Sequence, residues 1–311
     1  MPTTSTSPLF RGAFTAVTTP FTDDGSAIDF GLLKEQIAFQ AAGKVTGIVL
    51  AGTTGESPTL EAEEWRELVT RGVRFAHDAG VLAIAGTGSN STHHACELQK
   101  FAAQAGADGA LSVNPYYNKP VQEGLYAHFM QQADAAALPI VLYNIPGRTG
   151  VALAPETVGR LAKHPNIKAI KEATGSTDSA SEILIKAPSL ALLSGDDTMT
   201  LPFASVGGVG VVSVVSNLLP ARISALCDAF LGNRWSEALK IHRELVPVCK
   251  AMFVETNPIP VKAAMKLLGR DNGVLRLPMT AASASTVKAL EGVLAQLRQP
   301  VAVEHRVGVA G

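Results

Sequence analysis

The chain has 311 residues, 47% of them hydrophobic, with 26 Lys+Arg against 27 Asp+Glu, a formal net charge of -1 and a pI near 6.7. That is enough apolar material for a large core, and the near-neutral balance gives no electrostatic reason to expect nucleic acid or an anionic membrane as partner. No apolar run approaches the roughly 18 residues of a bilayer span, and the opening MPTTSTSPLF lacks the basic and apolar segments of a secretory signal. Cys96, Cys227 and Cys249 are widely spaced, odd in number and match no zinc pattern, so a soluble protein of the reducing cytoplasm is expected.

In chain order, short β-branched or apolar runs alternate with longer helical patterns. The runs are GAFTAVTTP, VTGIVLAG, VLAIAGTG, DGALSVNP, PIVLYNIP, NIKAIKEA, LALLSGDD and GVGVVSVV, starting near residues 12, 45, 81, 108, 139, 166, 190 and 208. Between the second and third, EAEEWRELVTRGVRFAHDAG sets Trp65, Leu68, Val69, Val73 and Ala76 on one helical face, with acidic residues in the first turn where the helix dipole favours them. Strands alternating with helices predict parallel βαβ units, and eight of them predict an α/β fold of the (β/α)8 TIM-barrel type. A doubly wound open sheet would carry G-x-G-x-x-G after its first strand, where this chain reads AVTTPFTDDG. Beyond residue 232 the strand rhythm stops and three helical patterns follow. The expected division is a barrel over residues 10–232, a C-terminal helical region over 233–299, and loose tails at 1–9 and 300–311.

Barrels place functional groups at the C-terminal ends of their strands. Reading those ends in order gives Thr53 and Thr54 in AGTTGES, Asn90 in GTGSN, Tyr116 and Tyr117 in NPYYNKP, Tyr143 and Arg148 in YNIPGRTG, Lys171 in IKEATG, and Gly195 with Asp196 in SGDD. Three of the chain's four tyrosines fall at two of these ends. Lys171 is the informative one. Burying an unpaired ammonium is costly, and a strand-end lysine usually pairs with a neighbouring acid or snorkels into solvent. Alternation puts Ile167, Ala169 and Lys171 on one face and Glu172 on the other, which removes the nearest acid. Lysine ordinarily titrates near 10.4, but desolvation favours the free amine, and a free amine beside a pocket is a nucleophile for carbonyls.

Such chemistry also needs a proton shuttle and a clamp for a carboxylate. Tyr143, at the neighbouring strand end, can serve as general acid and base, and Thr53 can relay the proton. The backbone N–H groups of GTTGE suit a carboxylate, and Arg148 matches one bidentately. Other signals point elsewhere. Adjacent His93 and His94 lack the i, i+4 spacing of a helical metal pair, GGVGV near residue 208 lacks the Lys-Ser/Thr of a P-loop, and SGDD has no third carboxylate for a cation. Pro258 and Pro260 in ETNPIPVK read as a helix entry.

Together, AGTTGES, PYYNKP, YNIPGRTG, IKEATG, LLSGDD, ETNPIPVK and LRLPMT resemble the dihydrodipicolinate synthases over roughly residues 10–297. The resemblance implies a barrel enzyme, usually a homotetramer built as a dimer of dimers, that condenses pyruvate with aspartate semialdehyde in lysine synthesis without metal or organic cofactor. It implies an imine on Lys171, proton handling by Tyr143, and a link through Thr53 to Tyr117, which comes from the partner subunit. Arg148 would hold the semialdehyde carboxylate, and Thr54, Gly195 and Val212 would line the pyruvate pocket. Ser57, Asn90 and Tyr116 fit the family's lysine-inhibition site, but Ala62, Trp65 and His94 stand where sensitive relatives carry polar or acidic groups, so weak or absent inhibition by lysine is expected. The alternatives are a sister pyruvate-dependent aldolase of the N-acetylneuraminate lyase or 2-keto-3-deoxy acid type, a metal-dependent aldolase using the histidines, and a barrel that binds small acids without turnover.

Overall fold

The computed structural model describes residues 9–298, so the expected tails at 1–9, apart from Leu9, and 300–311 lie outside the described residues. Eight parallel strands close into a barrel in the order β1 to β8: Gly12–Ala16, Gly47–Leu50, Leu82–Gly86, Gly109–Val113, Ile140–Asn144, Ile167–Glu172, Ala191–Ser194 and Gly210–Ser213. Each starts within two residues of its predicted position. Among the described residues nine helices run through or after the connections, α1 to α9: Phe30–Ala42, Ala62–Asp78, Thr92–Gln104, Gln122–Ala135, Pro146–Thr149, Pro155–Leu161, Thr177–Lys186, Thr200–Ser205 and Pro220–Leu231. Three more follow where the strand rhythm ends: α10 (Trp235–Ala251), α11 (Ile259–Leu267) and α12 (Ala284–Arg298). Among the described residues no helix is long and apolar enough to cross a membrane.

The apolar side chains sort into two layers. Phe10, Phe14, Val49, Ile84, Val141, Ala169, Leu193 and Val212 fill the barrel axis, with the Phe10 and Phe14 rings 6.3 Å apart between centroids and tilted by 46°. Outward residues of the same strands, such as Ile48, Leu142 and Ile170, pack against the helices. In α2 the predicted face is buried, and Gly72 and Phe75 join it. Its N-terminus carries a capping box, in which Glu61 and Glu64 satisfy each other's backbone donors.

One expectation fails. Ile167 does not line the interior; it packs outward with the helices, while Ala169 faces the axis. The cause is a register shift between β5 and β6, where Ile140 pairs with Ile167 but Val141 pairs with Ala169. A strand with one extra residue changes face at that point. The face assigned to Lys171 is unchanged, because the irregularity lies below Ala169.

The C-terminal region reaches back to the barrel mouth through charge. Lys262 of α11 is fully buried and its Nζ lies 2.6 Å from Glu56 Oε1, in the turn after β2. Burial pushes its ammonium down from the ordinary range while Glu56 pulls it back. The same Nζ donates to the Val274 carbonyl at 2.7 Å and lies 4.4 Å from the Phe21 ring centroid. Arg276 adds its backbone N–H to Glu56 Oε2 at 3.0 Å and its guanidinium to Glu64. Removing one partner of such a pair strands the other without a countercharge. Lys262→Ala should therefore lower the unfolding free energy by roughly 3–5 kcal/mol in denaturant titration, and the uncharged Lys262→Met/Glu56→Gln pair should lose much less; a loss below about 1 kcal/mol for the single variant would contradict this.

Candidate active site

Parallel pairing places Tyr143 of β5 directly beside Lys171 of β6. Both are 5% exposed, and the lysine Nζ lies 3.9 Å from the centre of the Tyr143 ring. Among the described residues that amine makes no salt bridge and donates no hydrogen bond to protein. The bland alternative, a pair with Glu172, is absent for a visible reason. Glu172 lies on the outer face, where its carboxylate accepts from Asn144 Nδ2 at 2.9 Å and from the Thr174 N–H at 2.8 Å. Asn144 in turn accepts from Asn114 Nδ2 at 3.1 Å, so the end of β4, β5 and β6 are tied together on the side away from Lys171.

Ala169, Leu193 and Val212 form an apolar floor beneath the amine. Gly195, after β7, lets the lysine stem pass: a Cβ there would stand 3.2 Å from Lys171 Cε and 2.6 Å from Ala173 Cβ. Asp197 of SGDD is not a cation ligand. Its carboxylate accepts from Ser213 Oγ and from the N–H groups of Val214 and Val215 at 2.9 and 3.1 Å, and burial raises its pKa. Among the described residues no cluster of three or more His, Cys, Asp or Glu could hold a metal, and all three cysteines are free thiols.

The turn after β2 leaves two successive amides without a backbone partner among the described residues. Gly55 N–H closes onto the Gly52 carbonyl at 3.1 Å and Glu56 N–H onto Thr53 at 3.1 Å, while the N–H groups of Thr53 and Thr54 make no backbone bond among the described residues. Thr19 Oγ1 donates to the Gly55 carbonyl at 2.7 Å, and Glu56 sits at φ 54, held by Lys262. Successive free amides of this kind suit a carboxylate.

Above the floor opens a cavity of ≈ 510 Å³. Thr53, Tyr143 and Arg148 line it near the axis, and Ser57, His94 and Tyr116 line its outer limb. Lys171, Thr54, Gly195 and Val212 are not on that wall; they lie next to or beneath it. Arg148, in α5, donates through Nη2 to the Asn257 backbone carbonyl at 3.1 Å. Asn90 is also absent from the wall, and its carbonyl accepts from Asn118 Nδ2 at 2.9 Å. Tyr117 stands apart from its own chain's cavity, 89% exposed at φ 72. No hydrogen bond links Thr53 to Tyr143 within the described residues. Sequence reasoning missed Asn257, whose side chain donates to Thr54 Oγ1 at 3.0 Å, and the Glu56–Lys262 pair. The available signal was a lysine inside the apolar pattern PIPVKAAM.

The chain matches the model of the dihydrodipicolinate synthetase family over residues 9–297. It is 47% identical over 291 residues to the 4-hydroxy-tetrahydrodipicolinate synthase of Geotalea daltonii, covering 93% of this chain and 99% of that protein. The crystal structure of dihydrodipicolinate synthase from Aquifex aeolicus superposes with a TM-score of 0.90 at 42% identity, covering 93% of this chain and 98% of that one. A synthase from Cyanidioschyzon merolae, solved with lysine bound, matches at a TM-score of 0.89 and 44% identity, covering 92% and 98%.

Proposed function

The chain belongs to the dihydrodipicolinate synthetase family, and from that premise we propose how it joins pyruvate to L-aspartate 4-semialdehyde as a class I lyase, giving 4-hydroxy-tetrahydrodipicolinate for lysine (diaminopimelate) synthesis. The observation that carries the reading is the amine of Lys171, buried against Tyr143 with the neighbouring carboxylate engaged on the opposite face. Nζ adds to the keto carbon of pyruvate and one water leaves, forming an imine. The imine draws electrons from the methyl C–H, whose proton passes through Tyr143, and the resulting enamine carbon attacks the aldehyde. The aldehyde oxygen takes a proton and becomes the hydroxyl. The amino group of the semialdehyde then displaces Lys171 at the imine carbon, which closes the ring and returns the free amine. Every electron shift is carried by the imine, so the sequence of steps calls for no metal and no organic cofactor.

The free amides of Thr53 and Thr54 hold the pyruvate carboxylate, beside Gly195 and above Val212. Arg148 holds the semialdehyde carboxylate at the mouth. Tyr117, exposed on its own subunit, completes a partner's site by relaying protons through Thr53, within a homotetramer of two such dimers. The barrel of residues 10–232 is the catalytic unit, the helices of 233–299 its support, and the cytoplasm its compartment.

Lysine inhibits weakly or not at all. The outer limb of the cavity is walled by Ala62 and by Trp65, whose ring meets Phe101 at a tilt of 59° and 5.7 Å between centroids and whose indole N–H is taken by the Gly86 carbonyl. Glu97 is its one carboxylate, and it lies 3.8 Å from His93. Two experiments test these assignments. Lys171→Ala and Tyr117→Phe should each be nearly inactive, yet co-refolded mixtures should recover about a quarter of full activity, because each mixed dimer holds one intact site. Mixtures no better than the single variants would place Tyr117 outside the partner's site. Millimolar lysine should leave turnover within about twofold of the uninhibited rate; a several-fold drop would show that the aromatic wall still admits it.

A further inference from the structure

We propose that Asn257 is a positioning residue that aims two carboxylate-binding groups of this site, the Thr54 hydroxyl, acting beside the Thr54 amide, and the Arg148 guanidinium, an inference that rests on the substrates placed above at Thr54 and Arg148. Asn257 lies between α10 and α11, in the region outside the barrel, and is 5% exposed. It reaches two residues that are 203 and 109 positions away in sequence. Its side-chain Nδ2 donates to Thr54 Oγ1 at 3.0 Å. Its backbone carbonyl accepts from Arg148 Nη2 at 3.1 Å.

The two contacts do different things. A threonine hydroxyl has one hydrogen and two lone pairs. With Asn257 donating into one lone pair, the Thr54 hydrogen is left to point at a further acceptor, and the acceptor this pocket receives is the keto-acid carboxylate. A residue that accepted from Thr54 would have the opposite effect, turning the hydroxyl away from the substrate. At the mouth, Arg148 is exposed and makes no salt bridge among the described residues. Its hydrogen bond to the Asn257 carbonyl fixes the guanidinium plane through one N–H and leaves the others to grip a second carboxylate bidentately. Holding a long side chain in its bound geometry beforehand reduces the ordering cost of binding. Neither contact touches the reacting carbon, so the expected signature is in substrate binding rather than in chemistry.

Because one contact is made by the side chain and the other by the main chain, substitution separates them. Asn257→Ala should raise the KM for pyruvate about three- to tenfold, the worth of one hydrogen bond. The KM for the semialdehyde and kcat should each stay within about twofold. Asn257→Asp keeps the shape but can only accept from Thr54, so it should raise the pyruvate KM further than alanine does, and it serves if the alanine variant fails to fold. In a Thr54→Val background the pyruvate effect of either substitution should vanish, because the partner it acts through is gone. Equal increases in both KM values, an effect that persists without the threonine hydroxyl, or an Asp variant that binds pyruvate normally would overturn the inference. Unaltered enzyme that turns over both substrates while the Asn257 variants match it would defeat the inference alone; unaltered enzyme that turns over neither would bring down the proposed function and the inference with it.

Discussion

The alternation of side chains along β6 is the constraint on which the site depends. One residue of the pair Lys171–Glu172 must face the axis and the other must face away, so the charge partners nearest in sequence are kept apart by backbone geometry. Glu172 is then occupied by Asn144 and the Thr174 amide, and Lys171 is left against the ring of Tyr143 over a floor of Ala169, Leu193 and Val212. Among the described residues no carboxylate engages Nζ, so the amine is left unblocked on the axial side of the strand. The register of β5 against β6 sets Tyr143, the proposed proton carrier, directly beside Lys171. The proposed nucleophile and its proposed acid–base partner are therefore positioned by sheet hydrogen bonds rather than by loops.

Around this rigid centre, the mouth is shaped from outside the barrel. The turn after β2 presents the free amides of Thr53 and Thr54 in a conformation that puts Glu56 in the left-handed region. Such a backbone persists only where its surroundings hold it. Here the holding groups are Lys262 and Arg276, which belong to the C-terminal region and converge on the Glu56 carboxylate. Asn257, a few residues before Lys262, reaches Thr54 in the same turn and Arg148 on the other side of the mouth. The helices beyond the barrel thus act as a brace for the loops proposed to bind substrate, and the buried charge in that brace has a structural use that its cost alone would not suggest.

Much of this architecture is legible in the order of residues. The strands read clearly because parallel barrel strands are buried on both faces and show as continuous apolar runs. Lys171 stands out because a lysine is the wrong residue to end such a run unless its chemistry is used. Ile167 was assigned to the wrong face because period-two reasoning assumes an unbroken ladder, and the shift opposite Ile140 has no marker in NIKAIKEATG. Asn257 was hidden for another reason. Beside Pro258 it reads as a helix entry, and its partners are contributed by remote segments that only the closed barrel brings near. Tyr117 is an intermediate case: its loop is legible as a strand end, but the role proposed for it comes from family resemblance, because on its own subunit the side chain is 89% exposed.

The most direct measurement is covalent trapping. Borohydride added to enzyme and pyruvate, followed by peptide mass analysis, should reduce the imine to a stable adduct on the peptide carrying Lys171. Lys171→Ala should give none. Full turnover without any trapped adduct, or an undiminished adduct in the alanine variant, would contradict the claim that this amine is the nucleophile.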